Sequence, residues 1–170
     1  AAMEDVAPIL EHDPAAVEVL DDVLLDLARE TEEFGDVVDM LPAGTDSVLL
    51  VEFYADSDRH GERQVADLLA DRVGDVEPVT APSDGAPGTT PDPRRAVRAM
   101  EAHTPEERAR FWKLRKSGLP ILLSRTTDEK HIAFIEDTAI PAATLPEYVA
   151  DVQAILASER VNVITDGLFG

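Results

Sequence analysis

Apolar residues recur at helical spacing at Val17, Leu20, Leu24 and Leu27 behind Asp13-Pro14, a capping carboxylate followed by the residue best suited to a first helical position. That pattern predicts a helix over 13–33. Val37, Val38 and Leu41 follow and stop at the turn Pro42-Ala43-Gly44. The run SVLLVEFYA at 47–55 has the length and the β-branched, aromatic content of a strand. Its alternation puts Leu49, Val51 and Phe53 on one face and Val48, Leu50, Glu52 and Tyr54 on the other. A helix over 59–73, with Val65, Leu68, Leu69 and Val73 inward, ends at Gly74, and a shorter strand is expected over 76–81. Proline and glycine are too dense over 82–93 for anything but a loop.

The second half begins with a short helical piece over 94–102. The capping box Thr104-Pro105-Glu106-Glu107 then opens a helix that fades at Gly118-Leu119-Pro120. Ile121, Leu122 and Leu123, a polar turn at 126–130 and a strand over 131–140 come next. Thr144-Leu145-Pro146-Glu147 reads as a second capping box, opening a helix with Tyr148, Val152, Ile155 and Leu156 inward. A last strand is expected over 161–169. With the helical segment 94–118 set aside, strand, helix, strand occurs twice, which predicts a single α+β domain over 1–170. Its form would be a ferredoxin-like βαβ–βαβ sandwich: an antiparallel sheet with two helices on one face, a helical insertion between the halves and an extra N-terminal helix. Glu52 and Glu136 would then lie on or near the opposite face, which needs either water or another domain.

Charge changes the picture in two places. Asp and Glu number 35 against 15 Lys and Arg, a formal net charge of -20, and three of the basic residues are Lys. Dense carboxylates with few lysines suit molar salt, where counterions screen their repulsion, so a halophile's cytoplasmic protein is expected; the competing reading is an ordinary acidic domain. This surface argues against nucleic acid and anionic membrane as partners. The exception is the helix after Thr104, where Arg108, Arg110, Lys113, Arg115 and Lys116 place five cations within nine residues, and an anion is the partner to look for. Cysteine is absent, so this segment holds no disulfide, iron–sulfur ligand or thiolate nucleophile. No apolar run approaches the roughly 18 residues of a membrane span. Ala1-Ala2-Met3 reads as the artificial start of an excised piece.

Trp112 and Arg115 lie three residues apart, one side of a helix, and offer an aromatic platform beside a guanidinium. Such a guanidinium can hold a substrate carboxylate with two parallel hydrogen bonds; equally, in so acidic a chain, Arg115 can form a salt bridge with a protein carboxylate. Lys113, Lys116, Arg108 and Arg110 read as a solvated or interdomain face. Glu136-Asp137 closes the strand before Pro141, and adjacent strand residues point to opposite faces, so a structural corner is preferred to an acid/base pair. His12, His60, His103 and His131 have no metal-ligand spacing, and no metal site is expected. No phosphate-binding glycine loop, GxSxG elbow or Ser/His/Asp signature occurs, and no catalytic or cofactor-binding residue is assigned.

FWKLRK, a spacer, AFIEDTAIP, a capped helix and a strand ending DGLFG, together with DPAAVEVLD and LLVEFYAD, resemble the C-terminal substrate (cap) domain of the FAD-linked oxidases. This is the group of glycolate oxidase, D-lactate dehydrogenase and D-2-hydroxyglutarate dehydrogenase. The likeness covers most of the chain and is nearest the long form fused to an iron–sulfur domain. It implies a parent that moves a hydride from C2 of a 2-hydroxy acid to flavin N5, with FAD held mainly by a preceding domain of the same polypeptide and an iron–sulfur cluster elsewhere. Its location would be the cytoplasm, at most peripheral to the membrane through an electron acceptor. The resemblance carries the carboxylate-binding role onto Arg115, with Trp112 beside it and Glu52, Lys116, Glu136 and Asp137 as pocket or domain-interface positions. Members specific for 2-hydroxyglutarate carry a hydroxyl and a lysine where this chain has Leu119 and Ile135, which leaves the choice of acid open. The family's histidine motif would follow Gly170, so the isolated segment is expected not to turn over. The alternative is a free-standing ferredoxin-like module that binds a ligand or another protein.

Overall fold

The computed structural model describes residues 2–39, 41–42, 44–73, 96, 98–116, 118, 138–159 and 167–169. Among them, α1 (Ala2–Leu10), β1 (Ala16–Leu20) and α2 (Asp22–Arg29) precede a 3-10 turn, Glu32–Phe34, that runs into α3 (Gly35–Val38). Then come β2 (Val48–Glu52), α4 (Asp58–Arg72), α5 (Pro105–Lys116), a 3-10 turn Ala142–Thr144 leading into α6 (Leu145–Ser158), and β3 (Gly167–Phe169). The architecture is α+β, with a three-stranded antiparallel sheet in the order β2-β1-β3. In the register, Glu18 pairs with Leu50 and Leu168, and Val17 with Val51 and Phe169.

The largest departure from expectation is at 13–33, where the spacing predicts one helix and a strand followed by a helix is found. Asp13 caps nothing downstream: it has φ 56 and ends the turn after α1, its N–H donating to the Leu10 carbonyl at 3.1 Å. Left-handed backbone is tolerated by aspartate, and the residue before proline avoids the right-handed helical region. The cap belongs to Asp21, whose Oδ1 accepts the Leu24 N–H at 2.9 Å. Val17, Leu20, Leu24 and Leu27 fall at helical spacing because a strand and a helix happen to meet in phase.

Both sheet faces are covered. On one, Val17, Leu49, Val51 and Phe53 pack with Ile9 and Leu10 of α1 and Leu68 of α4. On the other, Leu20, Val48 and Leu50 join Leu24, Leu25 and Ala28 of α2, Phe34, Val38 of α3, and Phe111 and Leu114 of α5. The two faces of β2 are those read from its alternation. The face expected to stay open, however, is closed by α2, α3 and α5, because their apolar stripes supply what Val48 and Leu50 require.

Smaller differences have local causes. Residues 98–102 are not helical: the Ala96 N–H donates to the Arg72 carbonyl at 3.2 Å, bridging the chain to the end of α4. The helix predicted over 145–158 is present, without its capping box, since the Thr144 hydroxyl donates to the Pro141 carbonyl at 3.0 Å and closes the 3-10 turn. In α6 Leu145 and Leu156 are buried, whereas Ile155, expected inward, is 63% exposed. The strand expected over 76–81, the loop 82–93 and the segment 121–137 lie outside the described residues.

Candidate functional site

The site is built on α5, and its start is specified locally. The Glu107 N–H donates to the Thr104 hydroxyl at 3.2 Å, while Glu107 Oε2 accepts the N–H groups of Thr104 and His103, each at 3.0 Å. These backbone donors hold the Glu107 carboxyl below its ordinary range. Arg108 Nη1 donates to the His103 carbonyl at 2.6 Å, and Lys113, Arg115 and Lys116 fall in the last turn, where cations suit the helix dipole.

Phe111, Leu114, Arg115 and Gly118 recur at i, i+3, i+4 and i+7, the stripe facing the sheet. Leu114 is fully buried and Phe111 half-buried. A Cβ on Gly118 would come within 3.1 Å of Leu24 Cδ2, so the missing side chain lets α2 approach. Lys113 Nζ sits 5.5 Å from the Phe34 ring centroid, a cation–π contact tying α5 to the turn before α3.

Arg115, the residue singled out for anion binding, therefore lies on the buried stripe rather than the solvent side. Its Nε donates to Glu18 Oε2 in the middle strand, with side-chain exposures of 24% and 10%. The carboxylate partner left open as an alternative is thus observed, and it comes from a residue to which the sequence pattern assigns no role. A signal exists: in Ala16-Val17-Glu18-Val19-Leu20 a lone carboxylate interrupts a β-branched run. It is hidden as long as the stretch reads as helix. Trp112 is half-buried on α5 and Lys116 exposed. Glu52 pairs with Ala16, so it is half-buried on the same sheet face as Glu18, two positions along. These residues are brought to one face of the sheet. Glu136 and Asp137 lie outside the described residues.

A flavin dinucleotide is a poor fit to the described residues. The first turns of α1, α2, α4, α5 and α6 carry Glu4 and Asp5, Asp22, Asp58, Glu106 and Glu107, and Glu147. Acidic side chains there occupy the partial positive charge that a diphosphate would use. A cleft of about 430 Å³ between α1, the end of β1 and α6 is lined by Glu4, Asp21, Asp22 and Asp46, the wrong sign for phosphate. Among the described residues no group of three or more His, Cys, Asp or Glu could hold a metal ion, and no helix is long and apolar enough to cross a membrane.

A half-buried arginine on a capped helix, set against a small antiparallel sheet, defines an anion-binding α+β domain rather than a nucleotide-binding one. The profile of the family described as FAD linked oxidases, C-terminal domain, matches residues 1–170, and the chain belongs to that family. It is similar to D-2-hydroxyglutarate dehydrogenase of Pantoea ananatis (strain AJ13355), 27% identical over 174 residues covering 100% of this chain and 16% of that protein. It is also similar to D-2-hydroxyglutarate dehydrogenase of Pseudomonas putida (strain KT2440), 24% identical over 167 residues, 91% of this chain and 14% of that protein. The chain thus spans about a sixth of the curated relatives it matches. No solved structure matches it.

Proposed function

We propose that this chain is the substrate-binding cap of a flavin-dependent 2-hydroxy-acid dehydrogenase, in which Arg115 receives the substrate carboxylate and Trp112 flanks it. The observation that carries the reading is the family match along the whole chain. The half-buried position of Arg115 on the inner stripe of α5 supports it, because a guanidinium withdrawn from water binds a carboxylate far more strongly than one on the surface. Acidic helix starts fit a domain that leaves FAD to a preceding domain of the same polypeptide. This chain's own contribution is to bind and orient the acid. By itself it turns over nothing. Glu52, Lys116, Glu136 and Asp137 serve the pocket rim or the contact with the flavin domain, and an iron–sulfur cluster elsewhere in the parent would carry electrons away. The ferredoxin-like pairing is completed by segments beyond the described residues. The parent is a halophile's cytoplasmic enzyme.

D-2-Hydroxyglutarate is favoured by the names of both relatives, while apolar Leu119 and Ile135 keep D-lactate and glycolate in the comparison. The test is anaerobic bleaching of the flavin in the full-length protein by each of the three acids in high salt. Bleaching by one identifies enzyme and substrate together. No bleaching by any of them overturns the proposal. In the same protein Arg115→Ala is expected to lower kcat/KM about a hundredfold, chiefly through KM, the cost of a charged, partly desolvated contact. An unchanged kcat/KM would leave Arg115 as a structural ion-pair partner of Glu18.

A further inference from the structure

Glu18 is hard to explain by packing. It lies in the middle strand of the sheet, its side chain 10% exposed between the fully buried neighbours Val17 and Val19. Removing a carboxylate from water costs several kcal/mol, and replacing a buried ion pair with apolar residues of similar volume is often neutral or stabilising. Stability alone would favour an aliphatic residue here, as at the neighbouring positions. What Glu18 does uniquely is hold the Nε edge of Arg115 from across the sheet.

An arginine side chain carries about 2 kcal/mol of rotamer entropy, which substrate binding must otherwise overcome. β1 is hydrogen-bonded on both sides, so its side chains are the most rigidly placed in the sheet. A contact from that strand orients the guanidinium before any ligand arrives, and one bond at Nε does not exhaust a group with five N–H donors. We propose that Glu18 is the positioning residue for Arg115: by accepting the Nε–H it fixes the guanidinium in the orientation that recognises the C1 carboxylate of the 2-hydroxy acid. This rests on the reading of Arg115 as carboxylate anchor.

Position and charge make opposite predictions, which makes the role testable. As a mere charge, Glu18 would repel an anionic substrate, and its neutralisation would tighten binding. As an acceptor, it is replaceable by the glutamine amide oxygen but not by a methyl group. The experiment compares kcat/KM for the acid with that for its C1 amide, D-lactate against D-lactamide and D-2-hydroxyglutarate against its C1 amide, in the full-length flavoprotein normalised to bound flavin. Loss of folded protein lowers both values equally and leaves their ratio unmoved. Glu18→Ala is expected to reduce the acid-over-amide preference about tenfold or more, mainly through KM, with Glu18→Gln within about threefold of the parent. If Glu18→Ala does not accumulate as flavin-loaded protein, Glu18→Leu, which fills the same volume, reads the same ratio. A preference unchanged in the Ala or Leu variant, or lost equally in Glu18→Gln, overturns the inference. Arg115→Ala separates the two levels: if it too leaves the preference intact, the carboxylate-anchor reading itself has failed; if it abolishes the preference while Glu18→Ala does not, Glu18 alone is excluded.

Discussion

At the scale of single residues, the same chemical pairing has different weight in different places. Arg29 and Asp26 meet at 2.6 Å on the surface of α2, with side chains 35% and 70% exposed, where an ion pair is worth less than about 1 kcal/mol. Asp5 of α1 and Arg72 of α4 are almost wholly withdrawn from water, the Arg72 Nε donating to Asp5 Oδ1 at 2.9 Å. Removing one partner there leaves the other charge poorly compensated; the Arg72 guanidinium also has Asp71 at 3.9 Å. Asp5→Ala is accordingly expected to cost about 3 kcal/mol and Asp26→Ala less than about 1, read as urea midpoints at constant slope. Equal shifts would mean that burial does not set the strength of these pairs. Arg115 is legible as a notable residue because five cations cluster in an acidic chain. Its partner is not, since the two are 97 positions apart and no local pattern joins them.

Whole elements are readable where their end signals are self-contained. The start of α5 depends on Thr104 and Glu107, three residues apart, and lies where the capping box predicts it. The same box fails to form at Thr144, because the 3-10 turn before α6 takes the hydroxyl. α1 is not legible since Pro8 lies inside it, ordinarily a sign that a helix has ended. The α5 cap has a pH signature whose sign follows from Glu107. Its carboxyl pKa is depressed in the folded state, so the cap stabilises fully above the unfolded value of about 4.3, and that stabilisation is lost as pH falls through the lower folded value. In an acid titration followed by far-UV circular dichroism, Glu107→Gln is expected to reduce the loss of helix below about pH 4.3 relative to the parent chain. Superimposable acid limbs would show that the cap does not couple to folding.

For the molecule as a whole, a net charge of -20 on 170 residues makes self-repulsion the term most open to control. The screening length falls from about 30 Å at 0.01 M salt to about 3 Å at 1 M, less than the spacing of most surface carboxylates. Helix content is therefore expected to drop in dilute buffer and recover in molar KCl. Identical circular dichroism in the two would remove the case for a halophile's protein. The sequence by itself determined what depends on near neighbours or on totals: the two faces of β2, the extents of α4 and α6, the cap of α5, the charge balance and the motifs that carry the family resemblance. Only the tertiary structure decided that 16–20 is a strand, that α2, α3 and α5 close the second face of the sheet, and that Glu18 meets Arg115. The physical reason is that a five-residue apolar run costs little to bend into either helix or strand, so its state is chosen by partners: β2 and β3 on its edges, and two apolar layers above and below.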